Sequence, residues 1–145
     1  MKLDRNQHSV YLLNYHLILV IKYRKKVINN MISDRLKDIF EYIAKDYGIT
    51  LIEWNHGNDH VHILFKSIPK TNISKFINAY KSASSRLIKK ENPLIRKTLY
   101  KEMFWSKSYC LISTGGAPIE VIKEYIQNQG GKKDEEKSSE GKTLS

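Results

Sequence analysis

Seven segments in the order strand, helix, strand, strand, helix, strand, helix predict an α+β protein, an antiparallel sheet with two helices on one face followed by a C-terminal helix. Three observations carry that reading. Two stretches repeat apolar residues at helical spacing, four others are rich in β-branched and aromatic residues, and a Gly/Asn/Asp segment joins two of those four closely enough for a hairpin. The first six elements are those of a ferredoxin-like split βαββαβ domain. Many activities ride on that architecture, so the activity must be argued from side chains.

Ser9 to Lys22 is β-branched, aromatic and apolar apart from Asn14 and His16, and reads as a long central strand. It ends in Lys22-Tyr23-Arg24-Lys25-Lys26, four cations around one aromatic. That turn is either simply solvated or a grip on phosphates, with Tyr23 stacking on a base. Ser33 is the expected cap of a helix whose residues Leu36, Ile39, Phe40, Ile43 and Tyr47 form one stripe, and Gly48 stops it. Ile49 to Trp54 and His60 to Lys66 read as strands joined by the turn His56-Gly57-Asn58-Asp59.

Pro69 closes the third strand, and Thr71 or Asn72 caps a helix reaching about Lys90 with Ile73, Phe76, Ile77, Tyr80, Leu87 and Ile88 as its buried stripe. Its other face carries Lys75, Asn78, Lys81, Ser82, Ser85, Arg86 and Lys89. Cations and hydroxyls at that spacing suit a phosphate-tracking surface or an ordinary solvated face. Glu91-Asn92-Pro93 ends the helix, Tyr100 to Thr114 supplies a turn and the last strand, and Gly115-Gly116 breaks it. Pro118 then opens a helix ending at Gln129, before Gly130-Gly131. A helix that short must dock on something, either its own domain or a partner.

The chain of 145 residues reads as one domain over 1–131 with a polar, disordered tail over 132–145. The formal charge of +10 favours polyanionic partners. Four Lys and four acidic residues cancel within Lys132 to Ser145, so the surplus belongs to the folded part. The longest apolar run, Leu17 to Ile21, is far short of the roughly 20 residues a membrane span needs. No basic-then-apolar leader opens the chain, and a cytoplasmic protein is expected. The single Cys110 rules out an internal disulfide and a Cys-based zinc cluster, and reads as a small packed hydrophobe.

The chemistry centres on Asn58-Asp59-His60-Val61-His62-Ile63-Leu64. Side chains alternate along a strand, so His60 and His62 share one face and can offer two imidazole nitrogens to a divalent metal. Two nitrogens leave most of a coordination shell open. Tyr125 and Gln129, four apart on the last helix, share one face as well, and bring an amide oxygen as third ligand and a phenol able to attack a metal-polarised phosphate. His56 is more simply a turn residue than a third imidazole.

Five blocks, in order, resemble the single-tyrosine HUH transposases of the smallest bacterial insertion sequences: Tyr15-His16 through Lys26; Asp59 through Leu64; Lys81-Ser82-Ala83-Ser84-Ser85-Arg86; Phe104-Trp105-Ser106 with Tyr109; and Lys123 through Gln129. Each block is weak alone, and the likeness spans most of residues 11 to 129. One departure is Gly57-Asn58 ahead of the histidines, where a Met-Pro is frequent before the polar residue.

The resemblance implies that His60, His62 and Gln129 bind Mg²⁺ or Mn²⁺ and that Tyr125 is the nucleophile. It implies cleavage and rejoining of single-stranded DNA at insertion-sequence ends through a 5′-phosphotyrosine, with recognition of DNA hairpins. It also implies a homodimer in which the tyrosine helix can complete the partner's site, with Gly115-Gly116 as the hinge. Lys22, Tyr23, Arg24, Lys25, Lys81, Ser82, Ser85 and Arg86 are the expected DNA contacts. The competing readings are a non-mobile hairpin-binding nuclease with the same chemistry and a non-catalytic nucleic-acid-binding module of the same fold. A histidine-triad nucleotide hydrolase needs a third histidine where Leu64 stands.

Overall fold

A computed structural model describes residues 3–113 and 119–129. The elements are β1 (Asp4–Arg5), β2 (Val10–Tyr11), β3 (Asn14–Val20), α1 (Asn30–Ala44), β4 (Thr50–His56), β5 (His60–Lys66), α2 (Ile73–Glu91), α3 (Pro93–Thr98), β6 (Cys110–Ser113) and α4 (Ile119–Gln127). The main sheet has the order β4-β5-β3-β6, and every pairing is antiparallel. That order and the helix crossovers are those of the expected split βαββαβ arrangement.

The sheet has two differently used faces, because strand side chains alternate. Leu17, Leu19 and Ile21 join Val61, Ile63 and Phe65 beneath α1 and α2, in a core with Leu36, Phe40, Phe76, Ile77 and Tyr80. Phe40 sits at its centre, within 5.2–6.1 Å of the rings of Trp54, Phe65, Phe76 and Tyr80. Each fully buried side chain of this size contributes about 1.5–3 kcal/mol. Polar groups here are paired: Tyr80 Oη donates to Leu36 O, Trp54 Nε1 to Ser33 Oγ and Trp105 Nε1 to Ser84 Oγ. Burial raises the Tyr80 phenol far above its ordinary pKa.

The opposite face carries a smaller cluster of Ile18, Val20, Cys110 and Tyr125, with Ile112 and Ile126 against it. The last helix therefore docks on its own sheet, across from α1 and α2. Cys110 packs as a small hydrophobe, and burial raises its thiol pKa.

Several boundaries differ from the expectation. The stretch from Ser9 is no single strand: Val10–Tyr11 pairs with Asp4–Arg5 in a separate ribbon, tied to the sheet by Lys66 Nζ on Asp4 at 3.1 Å. Asn29, not Ser33, caps α1, accepting from Ile32 N, while Ser33 is buried as the acceptor for Trp54. Asn72 caps α2, accepting from Lys75 N. Pro93, expected only as a terminator, also opens the short helix α3 at a position where its missing N–H costs nothing. In β4 a register shift between Leu51 and Glu53 lets Leu51 and Trp54, three residues apart, both pack on the main core. The Gly115-Gly116 hinge, Pro118, Gly130-Gly131 and the tail over 132–145 lie outside the described residues.

Candidate active site and cationic groove

β5 delivers the two histidines as alternation requires: Val61 and Ile63 are fully buried in the main core, while His60 and His62 face the other side. Their cross-strand partners on β3 are Val20 and Ile18 respectively. Those two residues form the seat of Tyr125, which is 2% exposed, so α4 brings its phenol to the histidine face of the sheet. Ser108 Oγ bonds Tyr125 Oη at 3.0 Å and donates to Gln129 Oε1 at 3.5 Å. Gln129 is fully buried, and its Nε2 has no hydrogen-bond partner among the described residues.

Each histidine has its own partner. His60 Nδ1 lies 2.9 Å from Asp59 Oδ1, and Asp59 Oδ2 accepts from Arg24 Nε at 2.9 Å. Burial pushes the Asp59 carboxyl upward, but hydrogen bonds from His60 and Arg24, with their charges, outweigh it and leave the pKa below its ordinary value. A 2.9 Å hydrogen bond joins His16 Nδ1 and His62 Nε2. Burial, then the charge of His16, lowers the His62 pKa against an opposing pull from Glu53. His62 is therefore neutral at pH 7, the form that ligates metals.

These groups fit a small divalent cation. His60 keeps Nε2 for a ligand because its Nδ1 is committed to Asp59, an arrangement common around metal-bound histidines. His62 Nε2 would hold the ion only after giving up its bond to His16. Among the described residues no three His, Cys, Asp or Glu side chains converge as a metal-holding group. Further ligands must then be other oxygens, and the buried Gln129 offers Oε1, which accepts a long 3.5 Å bond from Ser108 Oγ, as the protein's own candidate.

The cationic residues divide into two groups. Lys81, Ser82, Ser85 and Arg86 line one groove of about 880 Å³ with Lys89 and Lys90 of the same helix. Arg96, Lys101 and Glu102 form its far wall, with Met103, Phe104 and Trp105 also lining it. Lys81 is partly spoken for, since its Nζ donates to Ser106 O and Lys107 O at 2.8 and 2.9 Å. The turn after β3 is less of an open grip than its composition suggests. Lys22 is only 7% exposed with its Nζ 5.2 Å from the Tyr23 ring centroid, and Tyr23 meets Tyr100 edge-on. Arg24 is bound to Asp59, which leaves Lys25 as the exposed member of the expected set in this turn.

Sequence alone assigns no role to three residues at this site: His16, Asp59 and Ser108. His16 is a polar interruption in an apolar strand, in phase with Ile18 and Val20, and that phase was the available signal. Asp59 and Ser108 are tied to Arg24 and Tyr125, 35 and 17 residues away, which no local pattern reveals; Asp59 also meets its neighbour His60. His56 is exposed, with Nδ1 3.0 Å from Gly57 O.

The model of the family "Transposase IS200 like" matches residues 9–129. The chain belongs to the IS200-like transposase family. The transposase is 33% identical over 132 residues to the ISDra2 transposase TnpA of Deinococcus radiodurans, covering 91% of this chain and 94% of the relative. It is 23% identical to the transposase for insertion sequence element IS200 of Salmonella typhimurium, covering 84% and 80%. A crystal structure of a Deinococcus radiodurans protein described as a transposase superposes with a TM-score of 0.81 at 33% identity, over 88% of this chain and 98% of that one. A REP-associated tyrosine transposase bound to a REP hairpin shares the fold, with a TM-score of 0.54 at 8% identity, over 86% and 70%. Among the described residues no helix is long and apolar enough to cross a membrane.

Proposed function

We propose that this transposase cleaves and rejoins single-stranded DNA at the ends of an insertion sequence, with Tyr125 as nucleophile and His60, His62 and Gln129 as the protein ligands of Mg²⁺ or Mn²⁺. The observation that supports it is the burial of Tyr125 against Ile18 and Val20, the cross-strand partners of His62 and His60. Tyr125 Oη attacks the scissile phosphorus, the bond to the 3′-oxygen breaks, and that oxygen leaves as a 3′-OH after taking a proton. The 5′-phosphotyrosine keeps a phosphodiester's worth of bond energy, so attack by a new 3′-OH reverses the step without ATP. A bound divalent cation supplies Lewis-acid polarisation of the phosphate and offsets charge on the departing oxygen.

A phenol with an ordinary pKa near 10 is a weak nucleophile at pH 7, and Tyr125 must also leave its apolar seat to meet DNA. Ser108 holds the hydroxyl and the Gln129 amide together in the docked state. Lys81, Ser82, Ser85 and Arg86 are proposed to track the phosphates of a DNA hairpin, with Lys25 and Tyr23 contributing from the turn after β3. The protein is proposed to act as a homodimer in which α4 serves its own subunit or its partner's.

End-labelled single-stranded DNA from the regions flanking the gene, incubated with the protein and Mg²⁺ or Mn²⁺, should yield a labelled protein band on a denaturing gel. EDTA should abolish the band. Tyr125→Phe should still bind hairpin DNA and yield no band, and a covalent product with that variant refutes the assignment of the nucleophile.

A further inference from the structure

The turn after β3 and the β4–β5 hairpin are built against each other. Ile21 N donates to Asp59 O at 2.8 Å and Ile28 N donates to Asn58 O at 2.9 Å, which fixes the backbone on both sides of the turn. Within it Tyr23 and Arg24 take left-handed φ values of 56° and 53°, a region that costs a non-glycine residue about 1 kcal/mol or more. The result of that conformation is visible at the side chain: Arg24 Nε reaches Asp59 Oδ2 at 2.9 Å. Asp59 is 3% exposed, so its carboxylate is withdrawn from water and held between two donors.

The second donor decides what the pair does. A carboxylate only accepts, so the 2.9 Å contact requires His60 Nδ1 to carry the proton and, in the neutral ring, leaves the lone pair on Nε2. The ring is also held by its floor. A Cβ on Gly57 would lie 2.5 Å from His60 Cε1 and 2.9 Å from Nδ1, so the imidazole rests directly on the glycine backbone. A side chain at position 57 would push the ring out of this position.

We propose that Asp59, braced by Arg24, is a positioning residue for His60: it selects the Nδ1–H tautomer and aims Nε2 at the cation. Arg24 is then part of the metal site's support and not a phosphate contact. The inference rests on the reading of His60 as a metal ligand. Removing such a support from a ligating histidine weakens metal binding by about 10–100-fold. Asparagine at position 59 keeps the volume but can donate to Nδ1, which favours the wrong tautomer.

The test uses the full chain without DNA, comparing wild type, Asp59→Asn, Arg24→Gln and His60→Ala. Mn²⁺ affinity is read from the electron paramagnetic resonance signal of the free ion, and the His60 tautomer from ¹⁵N spectra of histidine-labelled metal-free protein. Wild type should show an unprotonated Nε2 at His60. Asp59→Asn should bind Mn²⁺ at least 10-fold more weakly, and Arg24→Gln should weaken it in the same direction; in a separate assay with single-stranded DNA, raised Mn²⁺ should restore the rate of covalent product formation by both variants. Should Asp59→Asn fail to fold, the wild-type tautomer and the Arg24→Gln affinity decide. An Nε2–H tautomer in wild type overturns the proposal, as does wild-type Mn²⁺ affinity in the folded Asp59→Asn protein beside a His60→Ala variant that has lost it. Undiminished Mn²⁺ binding by His60→Ala overturns the underlying ligand assignment and this inference with it.

Discussion

Ile18→Ala should free the tyrosine helix while leaving most of the domain folded. Ile18 is fully buried, and its cluster holds only Val20, Cys110 and Tyr125, with Ile112 and Ile126 at the margin. The change deletes three carbons, about 2.4 kcal/mol at roughly 0.8 kcal/mol per buried methylene, and more with the residual cavity. Because the side chain faces α4 and not the α1–α2 layer, that loss falls mainly on docking. An undocked α4 should become roughly 60-fold more populated, at 1.36 kcal/mol per tenfold change. Nine residues in α4 are too few for the helix to persist alone. Hydrogen exchange should therefore show α4 amides losing protection while β5 amides keep most of theirs. Leu19→Ala, one position along but in the main core, should instead lower protection everywhere. Protection in α4 unchanged by Ile18→Ala, or lost only together with β5, would refute the assignment of Ile18 to the helix seat.

Acid should destabilise the fold through two groups of the same sign. Asp59 has a folded pKa below its unfolded value near 3.9, so its contribution is present above about pH 4 and disappears as pH falls through the folded value. His62, lowered from about 6.5, takes up its proton more readily in the unfolded chain, so stability also falls as pH drops below about 6.5. Thermal melts between pH 7 and 5 should show a decline that His62→Gln largely removes. Arg86→Ala should weaken hairpin DNA binding across sequences and reduce the slope of log affinity against log salt by about 1, measured by fluorescence anisotropy. An unaltered slope would take Arg86 out of the phosphate contacts.

What could be read from sequence is what depends on local period. His60 and His62 share a face because strands repeat every two residues, and the helical stripes of α1 and α2 follow from a repeat of 3.6. The family blocks added Tyr125 and Gln129 as a unit. What stayed hidden depends on contacts between distant segments. Arg24 reads as a phosphate ligand in a run of cations, and its bond to Asp59 is visible only once the turn is packed against the β4–β5 hairpin. The His16–His62 bond needs the β3–β5 register, which sequence does not specify. Start signals can also compete locally: Asn29 and Ser33 are both good caps, and the demand of the Trp54 indole for an acceptor gives Ser33 other work.

The seven residues of β3 lie between the strand that carries the histidines and the strand that ends near the nucleophile's helix, and neighbouring positions answer to different demands. Leu17 and Leu19 face the α1–α2 core, whereas His16 meets His62, and Ile18 and Val20 meet Tyr125, on the other face. Substitutions along this one strand should thus sort by parity into those that unfold the protein and those that leave it intact but idle. Deleting a single residue from its middle would turn one flank of the strand to the wrong faces and break both sets.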